Sequence, residues 1–76
     1  MEARTLGETL FLLRRRKVLT LEELADAANV TVSTLSRIEN EKQTPRPSTL
    51  RKIAQALDVD PADLVFDDVA YSKNAA

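Results

Sequence analysis

Residues Leu19–Asn40, LTLEELADAANVTVSTLSRIEN, decide how this chain folds. They predict two short helices around a tight corner. Thr20 is followed three residues on by Glu23, the pattern of a capping box, in which the hydroxyl meets an orphan backbone N–H and the carboxylate reaches back to the cap. Leu24, Ala25 and Ala28 form a small, close-packing apolar face. Asn29 interrupts it, and asparagine tolerates the left-handed conformation that stops a helix and turns the chain sharply. Val30 is an apolar plug and Thr31 can cap a second helix. That helix carries Leu35 and Ile38 on one face and Val32, Ser33, Ser36 and Arg37 on the other.

Outward from this stretch the pattern stays helical. Leu6, Leu10 and Leu13 recur at the spacing of a core stripe and predict a first helix from about Thr5 to Lys17. Phe11 and Leu12 widen the stripe beyond one core face. Arg14, Arg15, Arg16 and Lys17 close the helix, where cations complement the negative end of its dipole. Beyond Asn40 a loop, EKQTPR, leads to Pro47, suited to the first turn of a fourth helix with Leu50, Ile53, Ala54 and Leu57 inward. Asp60 then caps a short fifth helix, with Pro61 first and Leu64 inward. No alternating strand pattern, internal repeat or low-complexity tract interrupts this order.

The joint pattern resembles the Cro/repressor family of bacterial and phage transcription regulators, the xenobiotic-response-element type. Ala25 matches the small residue where two helices cross. Asn29 matches a turn position usually held by Gly. Val30, Leu35 and Ile38 match the apolar trio that follows, and Glu39 the acidic residue after it. The likeness runs from Leu6 to about Val65 and includes PSTLRKIAQALDVDPADL. It implies an all-α, five-helix, lambda-repressor-like domain over residues 1–66, with the helix-turn-helix at helices 2 and 3 and a C-terminal tail at 67–76. It also implies a partly buried Arg14–Glu39 bridge between the first and third helices. The chain departs from the family at Leu21, where a phosphate-anchoring Gln is usual, and at Glu41 and Asp58, where Gly is usual. Asn40 is expected to take the left-handed cap in place of the missing glycine at 41.

A helix held by Ala25, Val30, Leu35 and Ile38 turns its other face outward, and its diameter fits the major groove of B-DNA. The expected base contacts are Val32, Ser33, Ser36 and Arg37, with Thr34 at the margin. Arg37 suits guanine O6 and N7, and Val32 a thymine methyl. Expected phosphate contacts are Thr20 and Thr31 at the helix starts, then Asn40, Lys42, Gln43, Thr44 and Arg46, with Lys17 beside them. The expected partner is double-stranded DNA, read by a homodimer on a pseudo-palindromic operator, because a single module buries little surface. In the tail, Phe66, Val69 and Tyr71 have two open readings: a cover over Phe11 and Leu12, or a dimer seam.

Composition narrows the alternatives. The 76 residues carry a net charge of −1, unevenly spread. Met1–Lys52 holds ten Lys/Arg against seven Asp/Glu, a net of +3, and Ile53–Ala76 one Lys against five Asp, a net of −4. The basic part is the one that would face phosphates. Without Cys or His there are no disulfides, thiolate chemistry or His-based nucleophile activation, and neither a cofactor nor a metal is expected. Gly7 is the only glycine, so no Gly-rich phosphate loop exists, and the reading is not an enzyme. The longest apolar run, Leu10–Leu13, falls far short of the ~20 residues that span a bilayer. With an acidic N-terminus lacking an apolar signal core, this predicts a cytoplasmic protein with no membrane contact. The main rival is an antitoxin-like module whose apolar tail binds a protein partner, and a third is a helical adaptor without DNA. Co-purification of a second chain would favour the antitoxin-like reading, and salt separates the adaptor from the DNA-binding reading, since DNA binding weakens steeply with salt and an apolar contact does not.

Overall fold

The computed structural model describes residues 5–64. They form four α-helices, α1 (Leu6–Arg16), α2 (Leu21–Ala28), α3 (Val32–Glu39) and α4 (Pro47–Leu57), followed by a 3-10 turn at Pro61–Leu64. The expected fifth helix is thus a single 3-10 turn, with the Asp60 carboxylate accepting from Ala62 N–H at 2.9 Å. The boundary expected at residue 66 and the seam residues Phe66, Val69 and Tyr71 lie outside the described residues.

One core joins every element. Leu10, Leu24, Ala25, Ala28, Leu35, Ile38, Leu50, Ile53, Ala54, Leu57 and Leu64 are buried together, with Leu6, Leu13, Leu19, Leu21, Val30 and Val59 packed around them. α2 packs on α3 and α4, α1 on α3, and the 3-10 turn closes against α1 and α4. Phe11 stands partly outside this core. Its ring is 41% exposed, with the Arg14 and Arg15 guanidiniums each 5.5 Å from its centroid.

All four α-helices end in the same way. A residue in the left-handed conformation donates to the carbonyl three back, and its successor donates to the carbonyl five back. The pairs are Val18 to Arg15 with Leu19 to Arg14, Asn29 to Asp26 with Val30 to Ala25, Glu41 to Ile38 with Lys42 to Arg37, and Asp58 to Gln55 with Val59 to Ala54. Three of the successors, Leu19, Val30 and Val59, turn apolar side chains onto the core. Asn40 does not take the left-handed cap expected of it. Its φ and ψ are −95° and 13°, and Glu41 adopts φ 62° instead. Glu41 gains a side-chain partner there, because its carboxylate accepts a hydrogen bond from the Thr5 hydroxyl. Thr5 itself caps α1 in a box with Glu8.

No left-handed position carries glycine. Gly7 serves a different need: a Cβ there would meet the Glu41 carboxylate and lie 2.6 Å from the Glu39 carbonyl oxygen. The bare backbone lets α1 approach the end of α3. Of the four left-handed residues Val18 is the least suited, being β-branched at φ 56°. Its side chain is 86% exposed and contributes little packing. Val18→Gly is expected to relieve the left-handed penalty, partly offset by a freer unfolded chain, for a net gain of about 0.5–1 kcal/mol. Thermal melting followed by circular dichroism should rise by roughly 2–8 °C. A fall in melting temperature would show that the valine costs nothing where it stands.

Candidate nucleic-acid interface

The corner between α2 and α3 is built by its caps. Thr20 Oγ1 accepts from Glu23 N–H at 3.0 Å, and the Glu23 carboxylate accepts from Thr20 N–H at 2.8 Å. Asn29 takes φ 57° and ψ 44°, and Thr31 then caps α3 by accepting from Thr34 N–H at 3.0 Å. Leu35 and Ile38 bury one face of α3. The opposite face is left to solvent: Val32, Ser33 and Arg37 are exposed, while Thr34 and Ser36 are half-buried at its edges. The Arg37 side chain has no hydrogen bond or ion pair among the described residues and is exposed.

Arg14 fixes this helix from behind. Its Nε donates to Glu39 Oε2 at 2.8 Å and its Nη2 to Glu39 Oε1 at 3.1 Å. The two side chains are only 13% and 7% exposed. Nη1 donates to the Leu19 carbonyl at 2.9 Å, so one guanidinium ties α1, the connection into α2 and the end of α3 together. Among the described residues no buried side-chain nitrogen or oxygen lacks a hydrogen-bond partner.

The candidate phosphate residues divide by what their hydrogens already do. The Thr20 hydroxyl only accepts, which leaves its hydrogen for an outside acceptor. Lys42, Gln43, Thr44 and Arg46 are all exposed in the loop after α3. Lys17 is exposed at the end of α1. Thr31 and Asn40 are already engaged. The Thr31 hydroxyl donates to Thr34 Oγ1 at 2.9 Å. The Asn40 amide donates to the Ser36 carbonyl at 2.8 Å and lies 3.4 Å from Ser36 Oγ. Neither bond was visible from composition, although an asparagine four residues after a serine on one helical face is the spacing that permits the second. Leu21, where the family prefers Gln, is half-buried against the core.

Residues 10–64 match the sequence profile of the helix-turn-helix family. The chain belongs to the Cro/repressor-type helix-turn-helix family. Within that family it is 39% identical, over 61 residues, to the HTH-type transcriptional repressor RghR of Bacillus subtilis (strain 168), covering 79% of this chain and 45% of that protein. The chain therefore spans less than half of this relative. A structure of the biofilm master regulator SinR in complex with DNA aligns with a TM-score of 0.79 at 35% identity, covering 82% of this chain and 100% of that one. The restriction-modification controller protein C.AhdI from Aeromonas hydrophila aligns with a TM-score of 0.76 at 30% identity, covering 78% of this chain and 89% of that one. Among the described residues no helix is long and apolar enough to cross a membrane, and no group of side chains is arranged to hold a metal ion.

Proposed function

We propose that this chain is a DNA-binding transcription regulator of the repressor type, with α3 placed in the major groove and a homodimer reading a pseudo-palindromic operator. One observation carries the reading: Arg37 projects, exposed and without an internal partner, from a helix pinned by Leu35, Ile38 and the Arg14–Glu39 bridge. Base contacts fall to Val32, Ser33, Thr34, Ser36 and Arg37. Backbone phosphates are met by Thr20 and by Lys42, Gln43, Thr44 and Arg46. Similarity to RghR and to the DNA-bound SinR structure supports the same reading. Dimerisation is supported by scale, since two copies one helical turn apart double a contact that is small for a single module.

Arg37→Ala tests it. The variant should fold and melt as the parent does, because Arg37 contributes nothing to the core. On a duplex selected from random DNA it should lose about 1–3 kcal/mol of discrimination at one guanine. Anisotropy titration against the selected site and its single-base variants reads the effect. Full retention of discrimination would remove Arg37 from recognition. The parent's affinity should also fall linearly with the logarithm of salt concentration, and a salt-insensitive complex would point to an apolar protein contact.

A further inference from the structure

The loop after α3 is held at both ends. At its start Glu41 takes the left-handed position with φ 62°, disfavoured for a residue with a Cβ. Its N–H donates to the Ile38 carbonyl at 3.2 Å, and the next N–H, that of Lys42, to the Arg37 carbonyl at 2.8 Å. Its side chain leaves the loop and returns to the start of α1, 36 residues back, where the carboxylate accepts from the Thr5 hydroxyl. An ionised carboxylate can only accept, so the direction of this bond is set by its chemistry. Thr5 Oγ1 at the same time accepts Glu8 N–H at 3.1 Å as the cap of α1. Room for the carboxylate exists because residue 7 is glycine: a Cβ there would fall on Glu41 Oε2. At the other end of the loop Pro45 is buried, and between these two anchors Lys42, Gln43 and Thr44 are exposed. Glu41 is also the only acidic residue from Asn40 to Arg46. Left in solvent beside Lys42, its charge would repel the phosphates this loop is proposed to meet. Drawn back onto the first turn of α1, it lies at the positive end of that helix's dipole.

We infer that Glu41 and Thr5 are positioning residues for the phosphate contacts: their bond fastens the loop to α1, so that Lys42, Gln43 and Thr44 are presented in one arrangement before DNA arrives. A loop ordered in advance loses less freedom on binding. The inference rests on the DNA-binding reading and goes beyond it by giving a role to two residues that are not proposed to touch DNA. It also reverses the sign expected from charge. Were Glu41 only a surface anion beside the phosphates, its removal would strengthen binding; as a fastening, its removal weakens binding.

Anisotropy titrations on the duplex that the parent selects from random DNA provide the test. Glu41→Gly loses one exposed hydrogen bond and sheds the left-handed penalty, so it should melt within about 5 °C of the parent. It should nevertheless bind about three- to tenfold more weakly, on every sequence alike, because the loop must now be ordered by the DNA. Glu41→Gln keeps an oxygen for the Thr5 hydroxyl and drops the charge, so it should bind at least as tightly as the parent. Lys42→Ala should weaken binding in the parent and lower the salt slope by about one. In the Glu41→Gly background its cost should shrink by about threefold or more, the coupling of two residues that act through one loop. A role in stability alone would leave the two costs additive. The inference is overturned if Glu41→Gly binds as tightly as the parent or more tightly, if Glu41→Gln is as weak as Glu41→Gly, or if the costs of Glu41→Gly and Lys42→Ala simply add. A parent that binds no duplex at any salt concentration overturns the DNA-binding reading and this inference with it, and is told apart from the other outcomes by the absence of any complex.

Discussion

Glu39→Ala is expected to destabilise the fold by about 3–5 kcal/mol, the cost of leaving a buried charge without its partner. The Arg14 guanidinium would keep only the Leu19 carbonyl and the face of Phe11, with both Glu39 oxygens gone. Domains have about 5–15 kcal/mol of stability in all, and one of this size sits near the low end. The variant should therefore be largely unfolded at 37 °C, and it should lose DNA binding through the loss of α3. Urea denaturation followed by circular dichroism measures this directly. Replacing both partners, Arg14→Met with Glu39→Leu, should recover most of the loss, because an apolar pair of similar volume leaves no charge to solvate. A cost below about 1 kcal/mol for Glu39→Ala would mean that the pair behaves as an exposed bridge does. The expected size follows from the low exposure of both side chains and the two-pronged geometry, which an exposed pair would lack.

What the sequence revealed and what it hid follow from the range of the interactions. Helix positions and inward residues are local properties of spacing. The stripe Leu50, Ile53, Ala54 and Leu57 is buried as a block, and the capping pair Thr20–Glu23 closes as the spacing predicts. The same rule applied to Thr5 and Glu8 would have found the cap of α1. Contacts between distant segments were not legible. Nothing near Gly7 in sequence says that the end of α3 comes to rest on it, or that the Glu41 carboxylate will reach the Thr5 hydroxyl. That contact bears on why the left-handed position passed to Glu41 rather than to Asn40, whose amide is spent on Ser36 in a helical conformation. For the recognition face the sequence supplied residue types on one side of a helix. It could not supply which side chains pair with which neighbour, such as Thr31 with Thr34 or Asn40 with the Ser36 carbonyl.

Leu35→Ala should be nearly as damaging, at about 2–5 kcal/mol, since the side chain is wholly buried between the helices. The effect reaches function by a different route from that of Arg37. An eight-residue helix is far too short to persist alone in water, so α3 exists because Leu35 and Ile38 are anchored in the core. Removing the Leu35 side chain leaves a cavity under the proposed recognition face and lets the helix detach before the rest of the domain unfolds. Amide hydrogen exchange should show it, with protection lost first at Leu35, Ile38 and Asn40, whose N–H groups close the α3 ladder. Excluded osmolytes strengthen burial without touching the exposed side chains proposed to meet DNA. Added sucrose should therefore restore part of the DNA affinity of Leu35→Ala and none of that lost in Arg37→Ala. If both variants respond alike, the division of α3 into an anchoring face and a reading face is wrong.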